Sequence, residues 1–348
     1  MFYQLFSIPV PNILQKSFGI INEKYIPFVS LKHLRLFWFG IYSLTFMRFE
    51  SLNSNARLII ENRNTAQSKI SRLVKKEKLT HSFHSIIKNL KLVTKDSVVI
   101  IDFSTFCGFQ ILTLALQTTM GRAVPLFFDI IIYPIRDVTS QNIFIIETIK
   151  KFKEIIGVNP TFVLDRGFAI PTLIEHFVKN QIFFYVRSKK GKHIILTDKH
   201  GKEEKIPIFK TDKVDRTIKS YGYILRLIVS NKSKKHDEPW YIITNNFDLK
   251  RKKIVDIYYF RFEIEETFKD LKHLYELDKF LIKKILTFKV LLWFVILGLI
   301  MAYFIEIAKE KLKENCKQKL SFVRSWFEGI QRSLFVSLIN SYRTRQFY

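Results

Sequence analysis

Between residues 97 and 186, short β-branched runs, turn residues and helical periods follow one another in a single order, and that order narrows the fold more than any other feature. Residues 97–103 (SVVIIDF), 110–117 and 123–133 read as three strands, the last opened by Gly121. A helix-period segment, 142–156, closes at Gly157. A fourth strand, 161–164, ends at Asp165-Arg166-Gly167; a helix over 171–179 then leads to a fifth strand, 182–186. Three strands joined by short turns and followed by αβαβ predict a mixed α/β sheet with helices packed on it. From 187 to about 247 the texture changes to HIILTD, KIPIF, YILRLIV and WYIIT, separated by polar turns such as Lys199-His200-Gly201 and Asn231-Lys232-Ser233. That pattern predicts a β-rich insertion. The expected division is a helical basic region over 1–92, a core first part over 93–186, the insertion over 187–248, core completion over 249–310, and a helical tail over 311–348.

Charge points to the class of partner. The 348 residues carry 57 Lys plus Arg against 31 Asp plus Glu, a net +26. So basic a chain attracts polyanions, nucleic acid first and anionic membrane second. An AT-rich codon bias would inflate Lys, Ile, Asn and Phe, and it accounts for part of the excess but not for the scarcity of acids. The segment 55–79 concentrates Arg57, Arg63, Lys69, Arg72, Lys75, Lys76 and Lys78. It suits phosphate contacts or an ordinary solvated helix face equally well, and no helix-turn-helix signature accompanies it. Cys107 and Cys316 form no CxxC pair, so a disulfide framework is excluded and a reduced cytoplasmic setting is expected. The segment beginning Met1-Phe2-Tyr3-Gln4 lacks the basic start of a signal peptide. The uncharged run 290–305 (VLLWFVILGLIMAYFI) is shorter than the roughly 18 residues of a usual membrane span, which predicts a buried core helix and no membrane partner.

Chemistry concentrates in 258–272 (YYFRFEIEETFKDLK). Taken as one helix at about 100° per residue from Tyr258, Arg261, Glu265 and Lys272 fall near −60°, −20° and −40°, in one narrow stripe. Ile257, Phe260, Ile264, Leu271 and Leu274 form an apolar stripe, leaving Glu263, Glu266 and Asp270 on an outer arc. A carboxylate between Arg261 and Lys272 stays ionised, which suits a metal ligand; surface salt bridges on an amphipathic helix explain the same spacing. Asp102 and Asp165 each end a hydrophobic strand. Burying a carboxylate there is costly unless it is paired or metal-bound, although a strand-end Asp also starts turns. Asp129 is a similar strand acid. Two strand acids and one helix acid in a basic protein match two-metal phosphoryl transfer, which clamps attacking and leaving oxygens between cations about 3.5–4 Å apart. If the three act together, their carboxylates should converge within about 4–8 Å. No His cluster, Gly-rich phosphate loop or Gly-x-Ser-x-Gly elbow competes with them.

The spacing Tyr258-x2-Arg261-x3-Glu265-x6-Lys272 resembles the Y-R-E-K signature of IS4-type bacterial insertion-sequence transposases. IIDFS around Asp102 and VLDRGF around Asp165 resemble that family's first and second acidic motifs. Pro239-Trp240 followed by Ile243-Thr244-Asn245 resembles the segment that closes its β insertion. The resemblance covers roughly residues 95–305. It implies an RNase H-like core with a β-rich insertion between the second Asp and the Glu, and the 100 positions from Asp165 to Glu265 leave room for one. It also implies that Asp102, Asp165 and Glu265 bind two Mg2+ or Mn2+ ions and cut and join DNA. Tyr258, Arg261 and Lys272 would contact DNA phosphates, with Arg166, Lys250 and Arg251 as further DNA contacts. The expected partners are double-stranded DNA with terminal inverted repeats and target DNA, the protein acting as a homodimer in the nucleoid of a bacterial cytoplasm. The alternative is a catalytically silent, DNA-binding remnant of a transposase acting as a repressor.

Overall fold

The structure is a computed structural model. It describes residues 78–311 apart from 132–139, 198–199, 212–213, 231–237, 274–276, 280–281 and 283. The expectations for residues 1–77 and 312–348, including most of the basic segment 55–79, lie outside the described residues.

The chain divides into two compact units. The first comprises residues 1–91, 106–108 and 268–348. Its described part is built on α1 (Lys78–Leu90) and α6 (Ile285–Lys311). Phe83 of α1 stacks on Trp293 of α6 at 5.4 Å and meets Phe294 edge-on at 5.3 Å. Val290, Trp293, Phe294, Val295 and Ile296 are buried, so the long apolar run is a core helix. No described helix is long and apolar enough to cross a membrane.

The second unit comprises residues 92–105 and 109–267 and carries most of a ten-stranded sheet. Its strands are β1 (Val98–Phe106), β2 (Phe109–Leu116), β3 (Val124–Ile131), β4 (Thr161–Leu164), β5 (Phe184–Arg187), β6 (His193–Thr197), β7 (Glu203–Pro207), β8 (Asp215–Ser220), β9 (Tyr223–Ser230) and β10 (Trp240–Thr244). They lie in the order β3-β2-β1-β4-β5-β10-β9-β8-β6-β7. Two helices intervene, α2 (Gln141–Ile156) before β4 and α3 (Pro171–Lys179) after it. Two more follow the sheet, α4 (Arg251–Tyr259) and α5 (Glu263–His273). The order β-β-β-α-β-α-β read from the sequence is the order found. Helix α2 ends where expected, at Gly157 with φ 73°, the left-handed cap that glycine adopts at no steric cost. One strand of the insertion, β8, escapes the sequence reading because DRTIKS alternates weakly and is polar. The insertion is also no separate layer: β10 pairs antiparallel with β5, so its strands extend the same sheet.

Two features of this sheet set up the site. Strands β1 and β4 are parallel, with Ile101 opposite Leu164 at the last paired position. Asp102 and Asp165 come next, so the register brings two acids side by side on strands roughly 4.8 Å apart: Asp165 just past the carboxyl end of β4, and Asp102 inside β1, which runs on to Phe106 instead of ending at residue 103 as the sequence suggested. Ligand sites in such sheets form at that edge. The second feature is the cluster of Val163, Tyr185, Ile228, Trp240, Ile242, Ile254, Ile257 and Tyr258, which seats α4 on the sheet. Trp240 meets Tyr258 edge-on at 5.3 Å. Truncation, Trp240→Ala, should cost about 3–5 kcal/mol, read as a lowered urea midpoint by far-UV circular dichroism; an unchanged midpoint would show that α4 is held by other contacts.

Candidate carboxylate site

Asp102, Asp165 and Glu265 reach one neighbourhood by different routes. After Asp102, Phe103 stacks on Phe168 of the single helical turn Arg166–Phe168 at 5.5 Å, tying the end of β1 to the turn that follows Asp165. The Tyr221 hydroxyl donates to the Ala169 carbonyl at 3.0 Å, so the β insertion braces the same turn.

Helix α4 is fixed from below by its entry loop. Asn246 Oδ1 accepts from the Asp248 and Leu249 N–H groups. Arg226 pairs with Asp215 through two nitrogens, at 2.9 and 2.7 Å, and donates to the Leu249 carbonyl at 2.7 Å. Asn245, in the motif after Trp240, bonds both ways to the approach to β5: it accepts from Phe184 N–H and donates to the Ile182 carbonyl. These groups have a structural use that the motif resemblance did not separate from a functional one.

The stretch 258–272 is not one regular helix. A 3-10 turn, Phe260–Phe262, separates α4 from α5. Three residues at about 120° instead of 100° advance the phase by about 60°. That shift corrects the outer arc drawn from the sequence: Glu263 and Asp270 are buried, whereas the Glu266 side chain is partly exposed and lies 3.7 Å from Arg122. Glu263 is a residue the sequence reading missed. Its carboxylate accepts from the Thr118 and Gly121 N–H groups, both at 2.9 Å, in the turn between β2 and β3. The Ala123 N–H donates to the Glu263 carbonyl, and the Thr267 hydroxyl donates back to the Ala123 carbonyl. Burial pushes the Glu263 carboxyl above its ordinary range, and the backbone donors pull it part of the way back. Glu263 therefore clamps the start of α5 to the sheet two residues before Glu265. The signal for it was the positive-φ turn at Thr119 and Gly121, whose N–H groups form a concavity for an anion.

At the centre stands Arg261. It donates to Glu265 Oε1 at 2.6 Å and faces Asp102 Oδ2 at 3.5 Å, with its side chain 6% exposed. Burial would lower the guanidinium's affinity for its proton; Tyr258, Asp165 and Glu265 outweigh it and raise the pKa. Burial likewise lifts Asp102 to about 6; Arg261 and the Phe103 N–H lower it, while Asp165 and Glu265 add to the rise. The three acids thus feel one another across a shared guanidinium. The donor set suits a hard divalent cation in kind, three carboxylates with few competing ligands. As arranged, however, no three acidic, His or Cys side chains among the described residues stand close enough to hold a metal ion.

The other expected residues are dispersed. Tyr258 is buried beneath Trp240, and its hydroxyl, raised in pKa by burial, lies against Arg261 and in the field of Asp165. Arg166 and Lys250 are exposed. Arg251 donates to the Val229 carbonyl at 2.9 Å and so helps dock α4 on β9. Lys272 falls in the first unit, its amine 5.5 Å from the Phe106 ring. Asp129 is set apart from the site by its ion pair with Lys151 at 3.1 Å.

The Asp102 shift has a measurable sign. A folded-state pKa near 6 against an ordinary 3.8 means the folded protein keeps a proton that the unfolded chain has released. Asp102's contribution to stability is then greatest below about pH 4 and is lost as pH rises towards and through 6, by up to about 3 kcal/mol. In chelator, Asp102→Asn should be more stable than the parent at pH 7 and indistinguishable from it below pH 4, measured by urea unfolding. A variant less stable at pH 7 would contradict this.

Residues 136–303 match the family described as Transposase DDE domain. No curated protein sequence matches the chain. Among solved structures, the cryo-EM structure of the piggyBac transposase synaptic complex with hairpin DNA aligns over 89% of this chain and 73% of that one, at 9% identity and a TM-score of 0.48. Over residues 136–303, then, this chain is similar to the transposase DDE domain; Asp165, Arg261 and Glu265 fall inside the matched span and Asp102 precedes it.

Proposed function

We propose that this chain is a DNA transposase of the IS4 type, with an RNase H-like core, that cleaves and joins insertion-sequence ends by cut-and-paste transposition. The observation that carries the reading is the meeting of Asp102, Asp165 and Glu265 around Arg261. The match of residues 136–303 to the transposase DDE domain supports it, as does the sheet order β3-β2-β1-β4-β5, with acids directly after the last paired position of the parallel strands β1 and β4.

In this reading Asp102, Asp165 and Glu265 hold two divalent cations, Mg2+ or Mn2+. Such ions supply Lewis-acid activation of an attacking oxygen and charge stabilisation at a leaving oxygen. The protein's own part is positional. The β1–β4 register aims two acids at one point, and the Glu263 clamp fixes the helix turn that presents the third. Exposed Arg166 and Lys250, with Arg251, are proposed to meet DNA phosphates from the second unit, and Lys272 is proposed to do so from the first; the charge of +26 supplies the long-range attraction. Double-stranded DNA with terminal inverted repeats, target DNA and a second copy of the chain are the proposed partners, in a bacterial cytoplasm.

The second reading, a silent DNA-binding remnant, is favoured by one observation: Arg261 occupies the space between the acids and no three ligands stand together. One experiment separates the two. The full chain is incubated with Mn2+ and supercoiled DNA carrying the inverted repeats that flank its own reading frame. The transposase reading expects nicking that falls by more than about a hundredfold in Glu265→Gln and Asp165→Asn. Salt-dependent DNA binding without metal-dependent cleavage, identical in parent and variants, would establish the remnant instead.

A further inference from the structure

Arg261 is bonded to the wrong partners for a residue that only binds DNA. Its guanidinium sits 2.6 Å from Glu265 Oε1 and 3.5 Å from Asp102 Oδ2, and Asp165 acts on it as well. These are the oxygens a cation would need. A lone pair that accepts a 2.6 Å charge-assisted hydrogen bond is not available to a metal, and a second positive centre brought beside the guanidinium is repelled.

The seat is also incomplete. Arg261 Nε is buried without a hydrogen-bond partner among the described residues. An unsatisfied buried donor lowers the cost of leaving. On its outer side the guanidinium carbon lies 4.5 Å from the ring of Phe262, which is 36% exposed, a cation–π contact that displacement would have to break. The side chain springs from the 3-10 turn Phe260–Phe262, where the helix changes pitch.

We infer that Arg261 is the resident counterion of the carboxylate set, and that a divalent cation must displace its guanidinium from Asp102 and Glu265 to bind. This rests on the proposed reading of those carboxylates as cation ligands. Three carboxylates against one guanidinium leave a net charge that a divalent ion can neutralise. With the guanidinium in place, Glu265 Oε1 is engaged and Asp102 Oδ2 faces a positive charge; its withdrawal frees both oxygens.

Mn2+ binding to the DNA-free full-length chain, followed by the loss of the free-ion electron paramagnetic resonance signal, tests this directly. Arg261→Gln should bind Mn2+ about tenfold more tightly than the parent, since one unit of opposing charge is removed at contact distance. In either background Asp102→Asn and Glu265→Gln should abolish that binding. Equal or weaker affinity in a folded Arg261→Gln protein would overturn the competition while leaving the ligand assignment intact. Mn2+ binding that the carboxylate substitutions do not change would instead overturn the ligand assignment. A second measurement covers the case in which Arg261→Gln fails to fold. In the parent protein, the Arg261 Nε–H resonance, assigned by its loss in Arg261→Lys, should move as Mg2+ saturates the site; a resonance that stays in place at saturation would refute displacement.

Discussion

Everything in the second unit answers to one electrostatic problem: Asp102, Asp165 and Glu265 are held near one another in a partly buried place. Like charges so placed repel, and desolvation adds to the cost, as the lifted carboxyl of Asp102 shows. A single guanidinium, Arg261, offsets part of it. The rest is met by scaffolding that leaves the acids no alternative position. Two are fixed by the register of neighbouring parallel strands. The third is fixed by a helix start that Glu263 clamps to the turn between β2 and β3.

That scaffolding explains why so large a share of the structure is devoted to orienting one helix pair. The Trp240–Tyr258 contact seats α4, the Arg226–Asp215 pair with Asn246 shapes its entry, and the Tyr221 hydroxyl braces the turn beside Asp165. The β insertion extends the sheet and supplies most of these groups, so it builds the site mechanically whatever it contacts in solution. A destabilised carboxylate set is a usual feature of sites that receive a cation, because the binding partner relieves the strain that folding left behind.

Much of this was legible in the sequence. β-branched runs and a capping glycine marked β1 to β4, α2 and α3 because local propensity and tertiary environment agree there. Asp165 was visible as a strand-end acid and Asp102 was read as one, although β1 runs on to Phe106; their adjacency is a matter of register between strands separated by two others and a helix, which no local pattern encodes. DRTIKS, the weakly alternating β8, was invisible for the opposite reason: the sheet imposes the strand on it. The misplacement of Glu263 had a specific cause. A helical wheel assumes constant pitch, and the 3-10 turn at Phe260–Phe262 rotates everything beyond it. Glu265 kept its link to Arg261 since the two span that turn at a spacing of four.

The three acids are proposed to form one cation site with Arg261 as its counterion. Anomalous diffraction from crystals of the protein soaked in Mn2+ is the most direct test. Manganese peaks are expected about 2.1–2.6 Å from carboxylate oxygens of Asp102, Asp165 and Glu265, with the Arg261 guanidinium withdrawn from Asp102. Manganese bound elsewhere, with Arg261 still bridging Asp102 and Glu265, would contradict it.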